Sequence, residues 1–501
     1  MDRIQQDKAL RYSIIDGGLS SVMDAIAGGI FLTGFALKVL HAEPHQIGIL
    51  ASLPMFANLT QIIGSYIIEK SGHRKMFCFI NMFLGRLIWL LVAMLPFAIF
   101  APLADWRIFV LVIIIGFSNV FQALSGVAWL TWMSAVVPAN KRGTFFGKRN
   151  MVTSACGVVV ALVGGKFITL WTNHYGQDSP YGYVILFAVG VLFGLAASLF
   201  LVRIPDVEPT QEHDKKKFDV SIMFQPFKDR NFLILTLYVS AWTFAVQFAG
   251  PFYTVFMMQD LNISLSAIAV FTTLSTLVTV FMMKIWGPIS DKLGNKPVMI
   301  VSGWFLVLTP FIWLFALPKM YIIPIIVAFT ITSAFTAGAT LTQNNILIKL
   351  SPEQGRSIYF GLFASVVGII GGVAPVIGGY LASILGNFSF TLGAYQVTNL
   401  HMIFIISAFL QMITIFFILK VKEPEAAAPY TVIMQLKTDL NPQTGIATAA
   451  RFAFVNAQKG HNVLNQIDRV TDNIAKSSES MISKVISKPI RKIKEYLESD
   501  E

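Results

Sequence analysis

Four ionisable residues interrupt the long apolar runs of this chain, and they are the first candidates for chemistry: Asp24, Arg86, Lys166 and Lys284. An ionisable side chain inside lipid is costly, so it usually faces a water-filled cavity or a partner of opposite charge. Asp24 is therefore a candidate for exchanging a proton or binding a cationic ligand group, and the alternative is a structural contact with a polar neighbour. Lys166 is a candidate for binding an anionic group, or its amine extends outward to the membrane surface.

The other charged residues in or beside apolar runs have simpler interpretations. Arg86 is expected to form a structural pair, and Lys284, near the end of its run, is expected to extend its amine to the surface. Asp16 lies at the edge of the first run. A carboxylate there is typical of the residue that begins a helix, so we predict a helix start at Asp16.

Uncharged polar and aromatic residues lie at a similar depth in several apolar runs. Amides and tryptophans in an otherwise apolar cavity suit a small organic solute. Taken singly, each such residue more often makes a hydrogen bond between helices. As a group they predict a ligand pocket, with these principal candidates: Gln122, Trp132, Trp242, Gln247, Thr336 and Asn344.

No combination of residues indicates an enzyme. The seven histidines are scattered, with no His-Glu-x-x-His pattern. There is no Gly-x-x-x-x-Gly-Lys-Ser/Thr phosphate loop and no Gly-x-Ser-x-Gly nucleophile elbow. Cys78 and Cys156 fall in or beside apolar runs, which favours small buried residues over a disulfide framework or a metal site. We therefore expect no catalytic activity, no cofactor and no metal.

The composition indicates a membrane protein. Of the 501 residues, 55% are hydrophobic and 13% are charged, and a soluble domain typically carries about 25% charged residues. The formal net charge of +11 would suit a nucleic-acid-binding protein. The basic residues, however, concentrate in short segments between apolar runs, as in loops on the cytoplasmic side of a membrane. The N-terminus lacks the order of a signal peptide, so we expect no cleavage.

The apolar runs are long enough for transmembrane helices, which need about 20 residues each. We predict an all-α membrane protein of twelve spans, six on each side of a charged segment at 204–230. The predicted spans are 17–40, 46–68, 76–100, 107–136, 150–171, 182–203, 231–258, 265–289, 297–317, 321–349, 357–385 and 396–421.

The basic loop residues predict the orientation. One set of connections holds most of them, including Arg74, Lys141, Lys296 and Arg356, and also contains the charged central segment. The alternate set holds little beyond Lys38, Arg107 and Lys319. The basic side is predicted to be cytoplasmic, so both termini are cytoplasmic too.

A short polar turn occurs twice, at equivalent places in the two sets of six spans. Both copies place an acid, a base, a glycine and a base at the same offsets, between apolar runs, and a glycine there can end a helix. The chain is therefore predicted to consist of two related halves. The second copy is Gly287-Pro-Ile-Ser-Asp291-Lys292-Leu-Gly294-Asn-Lys296, and the first is Ser65-Tyr-Ile-Ile-Glu69-Lys70-Ser-Gly72-His-Arg74.

This repeated turn resembles the loop motif of the major facilitator superfamily (MFS), and with the twelve spans the resemblance covers residues 12–421. Ser65 and Glu69 depart from the glycine and aspartate of that motif. The resemblance, to a bacterial-type branch of unknown substrate, implies two six-helix halves, 1–203 and 231–421. It also implies alternating access to a solute site near the membrane midplane. The loop acids would each face a helix N-terminus of the opposite half, Glu69 at the eleventh span and Asp291 at the fifth, and would stabilise the outward-facing state. The alternative is that these acids are solvated loop charges.

Residues 422–501 differ in character from the rest of the chain. After a Pro- and Ala-rich linker, apolar residues recur at helical spacing from Val463 to Val485, followed by a basic end. The pattern predicts an amphipathic helix on an anionic membrane surface or against another helix, and the alternative is a weakly ordered tail.

The function expected from the sequence is secondary transport of a small organic solute, driven by a proton or another ion, in a cytoplasmic membrane. Both a drug exporter and a nutrient importer fit this description, so symport and antiport stay open. The expected partners are the solute, the lipid bilayer and the coupling ion, without nucleic acid. The alternative from a different class is a non-transporting receptor that signals through its tail.

Overall fold

The computed structural model describes residues 3–440, apart from 72, 98–105, 138–141, 177–178, 207–225, 227, 319, 352–355, 387, 393–394 and 425. The predicted amphipathic helix at 463–485 lies outside these residues. Among the described residues, twelve helical segments are long and apolar enough to cross a membrane. The predicted all-α fold with twelve spans is therefore confirmed.

The helices run back and forth between the two sides of the bundle, and several spans are divided in two. The elements of residues 3–202, called the N half, are α1 (Arg3–Ala27), α2 (Gly29–Lys38), α3 (Pro44–Ala57), α4 (Thr60–Ser71), α5 (Arg74–Leu87), α6 (Trp89–Met94), α7 (Arg107–Val136), α8 (Arg142–Tyr175) and α9 (Tyr181–Val202).

Six longer helices and a short hairpin make up residues 230–418, called the C half, and one more helix follows them. The elements are α10 (Arg230–Gln259), α11 (Leu265–Leu293), α12 (Asn295–Trp313), α13 (Ile322–Leu350), α14 (Arg356–Leu385), β1 (Ser389–Leu392), β2 (Tyr395–Thr398), α15 (Asn399–Ile418) and α16 (Pro429–Leu440).

The first span differs from the prediction in two ways. Its helix begins near Arg3 instead of residue 17, so Asp16 lies inside α1 and the predicted helix start at Asp16 is wrong. The span is also interrupted at Gly28, which is extended, and Gly29, which has a φ of +52°. This left-handed backbone conformation favours glycine, because a Cβ would be strained there.

The N half and the C half meet through small residues on the side of the bundle opposite the start of α1. We call the surface where α1 begins the N-terminal side. A Cβ added at Gly48 of α3 would clash with the carbonyl oxygen of Pro375 in α14, and one at Gly379 would lie 2.7 Å from that of Pro44. His45 N also donates to Ser383 Oγ at 3.2 Å. Glycines of α3 and α14 therefore allow the two helices to approach closely.

A second contact between the halves joins α8 to α11 and also lies away from the N-terminal side. A Cβ added at Gly165 would lie 3.0 Å from the Cβ of Ala269, and Ser266 N donates to Thr169 Oγ1 at 3.2 Å. With the α3–α14 contact, this closes the bundle on the side opposite the N terminus.

The connection predicted to be a polar turn at 287–296 is mostly helical. The helix α11 continues through Asp291 to Leu293, and α12 begins at Asn295. Gly294 alone joins the two helices, with a φ of +93°. A residue with a side chain would be strained in this conformation, which explains why the motif needs a glycine at this position.

A two-stranded antiparallel hairpin precedes the last span, where the sequence predicted only a connection. Ser389 pairs with Thr398 and Phe390 with Val397. Thr398 Oγ1 donates to Asp260 Oδ2 at 2.9 Å. Burial raises the pKa of Asp260, and this hydrogen bond lowers it in part. The hairpin is therefore tied to the end of α10.

Candidate functional site

The C half contains a cavity of about 250 Å³ between α10, α12, α13 and α15. We call it the C-half cavity. Its described lining includes no charged side chain and many hydroxyl and amide groups. The predicted residues Trp242, Gln247 and Thr336 all line it, and the other polar or aromatic lining residues are Tyr238, Thr243, Tyr253, Thr309, Thr332, Thr340, Gln343 and Gln411.

Hydrogen bonds within the wall orient part of this lining. Gln411 Nε2 donates to Ser407 Oγ at 3.0 Å, and Thr332 Oγ1 donates to Thr309 Oγ1 at 3.3 Å. Gln247 Nε2 lies 3.9 Å from Met55 Sδ of the N half, a weak contact that leaves most of its hydrogen-bonding capacity for a ligand. The cavity is therefore an apolar-walled site with neutral donors and acceptors.

A larger cavity of about 560 Å³ lies at the break between α1 and α2 and reaches α3, α7, α10 and α11. We call it the central cavity. Among its described lining residues Asp24 alone is charged, and Gln122 and Asn119 contribute amides from α7. Asn119 Nδ2 donates to the Ile115 carbonyl at 2.8 Å. The side-chain oxygen of Asn119 is then the atom that can accept a hydrogen bond from a ligand. Asp24 and Gln122 are thus placed together, as expected for a pocket.

Three of the sequence-predicted ligand residues line neither cavity. Trp132 is fully buried, and its ring packs among core residues of the N half. Its Nε1 donates to the Pro205 carbonyl at 3.2 Å. Lys166 is exposed on α8, and Asn344 is exposed on α13 beside the lining residue Gln343. Nothing in their sequence spacing separated these three from the residues that do line a cavity.

Beside the central cavity, Asp16 forms a buried ion pair with two arginines. Its Oδ1 lies 4.0 Å from Arg86 Nη2 and its Oδ2 lies 3.7 Å from Arg149 Nη2. Ser20 Oγ donates to Asp16 Oδ1 at 3.3 Å. The Arg149 guanidinium also stacks over the Trp129 ring, 4.1 Å from its centre. The expected structural role of Arg86 agrees with this arrangement, whereas the partnership of Asp16 and Arg149 was not foreseen.

Arg86 connects three spans of the N half. Its Nη1 donates to the Gly194 carbonyl at 2.6 Å and to Ser198 Oγ at 2.7 Å, and its Nη2 donates to Ser20 Oγ. The guanidinium therefore has directional partners on α1 and α9. Asp24 is not one of them, because no described cation lies within 4.0 Å of its carboxylate.

Glu423 is a structural residue that the sequence did not reveal, since 423–429 was predicted to be a linker. Its Oε2 accepts hydrogen bonds from Asn295 N at 2.9 Å and Lys296 N at 2.7 Å. Its Oε1 accepts from Asn295 Nδ2 at 2.9 Å and from Lys349 Nζ at 3.0 Å. Burial raises the pKa of Glu423, but these hydrogen bonds and the Lys349 charge outweigh it, so the pKa is below its ordinary value.

The structure describes every residue of the second copy of the repeated motif but not every residue of the first. Asp291 and Lys292 are exposed, Gly287 lies within α11, and Lys296 Nζ donates to the Leu419 carbonyl at 2.9 Å. In the first copy, the structure places Glu69 and Lys70 in α4 and Arg74 at the start of α5, and Gly72 lies outside the described residues. The predicted contacts of the loop acids with helix N-termini stay predictions.

Comparison with known proteins identifies a family model that covers the whole bundle. A model of the Major Facilitator Superfamily matches residues 17–254 and 243–457. An uncharacterized MFS-type transporter of Methanocaldococcus jannaschii is 22% identical over 262 residues, which cover 50% of this chain and 63% of that relative. The match therefore spans less than two thirds of the length of this relative.

Solved structures share the fold at low sequence identity. A variant of the nucleoside transporter NupG superposes with a TM-score of 0.63 at 13% identity, covering 84% of this chain and 100% of that one. A D-xylose-proton symporter has a TM-score of 0.61 at 16% identity, with coverage of 83% and 98%. A bacterial homolog of the human lysosomal transporter Spinster, solved inward-facing and unoccupied, has a TM-score of 0.60 at 14% identity, with coverage of 88% and 99%.

Proposed function

This chain belongs to the major facilitator superfamily, and we propose that within it the protein is a secondary transporter of a small, uncharged polar organic solute. The observation that carries this proposal is the C-half cavity, which presents hydroxyl, amide and aromatic groups and no charged side chain among its described lining. Such a lining offers a neutral solute hydrogen bonds without the desolvation cost of burying a charge. The substrates in the names of the nucleoside and D-xylose transporters belong to the same chemical class.

The arrangement of the helices supports alternating access as the transport mechanism. The proposed rocking units are residues 1–203 and 231–421, joined by the linker 204–230. The described basic residues Arg74, Lys292 and Lys296 lie at the α4–α5 and α11–α12 junctions on the N-terminal side. We therefore place this side and both termini in the cytoplasm, with the protein in an inner or plasma membrane. The contacts between the halves then close the outer side, which corresponds to an inward-facing state. Transport requires that these glycine-mediated contacts open while the N-terminal side closes.

Asp24 supplies the proposed coupling site. It is the charged residue of the central cavity's described lining, and it lies at the level of the helix break. A cation can bind to a carboxylate in this position and leave it again during each cycle. This binding and release would couple an ion gradient to solute movement. Symport and antiport are both compatible with this placement.

Solute uptake into proteoliposomes tests the proposal, with a panel of neutral sugars and nucleosides beside cationic and anionic solutes. We expect uptake of a neutral member, and Trp242→Ala should raise its half-saturation concentration at least tenfold. Trp304, which is 46% exposed on α12, provides the matched control Trp304→Ala. Uptake of charged solutes alone, or equal effects of both tryptophan variants, would contradict the proposed solute class.

The receptor alternative predicts a different result from the same preparation. In that case the folded protein binds a neutral solute, which raises its unfolding temperature, but no solute enters the vesicles. Removal of residues 430–501 should leave uptake intact in a transporter. The same removal should abolish a cellular response in a receptor that signals through its tail.

A further inference from the structure

The break in the first span leaves main-chain carbonyl oxygens at the end of α1 without helical hydrogen bonds. No helical turn spans Gly28, so the carbonyls of Ala25, Ile26 and Ala27 lack the N–H groups that a continuous helix would supply. Among the described residues, none of these three carbonyls accepts a backbone hydrogen bond from outside the helix. Carbonyl groups in the membrane interior require a partner, because unsatisfied polar groups are costly there.

Asp24 and the break in the first span belong to one cavity. Asp24 and Ala27 of α1 line the central cavity, and so do Gly28, Gly29 and Thr33 beyond the break. The Asp24 side chain is exposed to this space and makes no ion pair with a described residue. The site therefore combines the Asp24 carboxylate, the main chain of Ala27 and neutral oxygen-bearing side chains such as Thr33 and Gln122.

We propose that this break in the first span is a binding site for a monovalent metal cation, with Na⁺ as the coupling ion. The proposal rests on the proposed function, since a coupling ion presupposes transport. Carbonyl and carboxylate oxygens are the ligands that hard metal cations prefer. Unwound main chain and the carbonyl ends of half-helices within a membrane are suited to coordinate Na⁺. The negative end of the α1 dipole adds to this attraction, because the carbonyls at a helix C-terminus carry partial negative charge.

The charges around the site favour a monovalent over a divalent cation. Asp24 is the nearest acid, and it would neutralise one positive charge. Asp16 is not available, because Arg86 and Arg149 already surround it. These two arginines, on α5 and α8, carry two positive charges, and Asp16 neutralises only one of them. The remaining positive charge opposes cation binding. A divalent ion would add a further uncompensated charge in a medium where charges are costly. The same repulsion predicts weak, millimolar affinity, which suits an ion that must be released in each cycle.

The backbone of Gly29 keeps the carbonyls accessible. Its φ of +52° is strained for any residue with a Cβ, yet a Cβ added there would meet nothing within 4 Å. Gly29→Ala is therefore a backbone perturbation without a steric clash. It favours continuation of the helix through the break, which would pair the carbonyls with N–H groups. Gly126→Ala, within α7 and also without contacts within 4 Å, is the matched control.

The experiment measures the unfolding temperature of the purified full-length protein in NaCl, KCl and choline chloride at constant ionic strength. A cation that binds only the folded state raises this temperature in a saturable way. We expect stabilisation by NaCl above that by choline chloride, half-maximal at millimolar Na⁺. Lower pH should weaken it, because protons compete for the Asp24 carboxylate. Asp24→Asn and Gly29→Ala should each raise the Na⁺ concentration required at least tenfold, whereas Asp7→Asn, an exposed change in the same helix, should not.

Two results would overturn the proposal: equal stabilisation by Na⁺, K⁺ and choline, or an unchanged Na⁺ response in Asp24→Asn. If Asp24→Asn is not monodisperse on size exclusion, Asp24→Glu replaces it. This variant keeps the charge, and we expect it to retain a Na⁺ response with altered affinity. The assay needs no solute, so it separates the two proposals. Saturable Na⁺ binding without uptake of any solute would refute transport and leave the cation site in place. Uptake of a neutral solute without a Na⁺ response would refute the cation site alone.

Discussion

Replacement of Glu423 tests whether one carboxylate joins three helices on the N-terminal side. The residue follows α15 and binds the first residues of α12 through two backbone N–H groups and the Asn295 side chain. Lys349, at the end of α13, completes the set. The carboxylate thus acts as the N-cap of α12 although it lies 128 residues from Asn295 in the chain.

The contacts give an expected magnitude for Glu423→Ala. Loss of an N-cap costs about 1 kcal/mol, and each hydrogen bond to a charged group contributes about 1.5–3 kcal/mol. The Lys349 side chain is 61% exposed, so its ion pair contributes at most about 1 kcal/mol. These contributions are not additive, since the freed backbone N–H groups can bind water. We therefore expect Glu423→Ala to lower the free energy of unfolding by about 3 kcal/mol.

Glu423→Gln should have a smaller effect, because it retains one carbonyl oxygen that can accept from a backbone N–H. Its amide nitrogen, however, meets donors where the carboxylate offered an acceptor. We expect a loss of about 1–2 kcal/mol. Lys422→Ala is the matched control, since Lys422 is adjacent and its side chain is exposed.

The pKa of Glu423 predicts how this stabilisation depends on pH. Its folded-state pKa is below the ordinary value of 4.5, so the unfolded chain binds the proton more tightly. The contribution is therefore fully present above the unfolded pKa and is lost as the pH falls through the folded pKa. The stability difference between wild type and Glu423→Gln should be constant from pH 6 to 8 and should shrink below about pH 4.

Unfolding in mixed micelles with increasing SDS, followed by tryptophan fluorescence, would measure these differences. Equal stability of Glu423→Ala and Lys422→Ala would refute the capping argument. A difference between wild type and Glu423→Gln that persists unchanged to pH 3 would show that the carboxylate charge is not what stabilises the contact.

Three further substitutions test other parts of the structure. Asp16→Asn leaves the buried Arg86 and the partly buried Arg149 without their carboxylate partner, so we expect about 3–5 kcal/mol of destabilisation, measured by the same SDS unfolding. Gly378→Ala places a Cβ against the Phe248 carbonyl oxygen of α10, so it should lower both unfolding temperature and uptake, whereas Gly361→Ala, with nothing within 4 Å, should change neither. Asp291→Asn should slow uptake while solute still raises the unfolding temperature, and equal loss of both would indicate misfolding instead.

The twelve spans were predictable from the sequence, but the break in the first span was not. Three of the five pairs of adjacent glycines in the chain are Gly28-Gly29, Gly164-Gly165 and Gly378-Gly379. The second and third pairs lie inside continuous helices, where they allow neighbouring spans to approach. The first pair interrupts a helix beside a cavity. Because the Gly-Gly pair is the same in all three places, the pair itself does not decide between close packing and a break; the flanking residues and the tertiary surroundings do.

The long-range polar contacts could not be predicted from the sequence either. The hydropathy of residues 3–16 is low, so the apolar pattern placed the start of the first helix too late and gave Asp16 the role of a helix start. Its real partners, Arg86 and Arg149, lie in other spans. For Glu423, the surrounding prolines and alanines are typical of a linker. In both cases the decisive interaction depends on residues far apart in the chain, which local composition and periodicity do not report.

The two halves divide charge unequally, and this asymmetry has a mechanistic consequence. Asp16 and Arg86, which are buried, and Asp24, which lines the central cavity, all lie in the N half, whereas the described lining of the C-half cavity is neutral. A change of charge at Asp24 therefore acts at the junction of α1 and α2. The helix α2 also touches the C half, because a Cβ added at its Gly34 would lie 3.3 Å from Leu265 Cδ1 at the start of α11. Cation binding that orders the break would fix α2 relative to α1 and so bias the contacts that close the outer side. Solute recognition in one half and ion occupancy in the other are then coupled through α2, without direct contact between solute and ion.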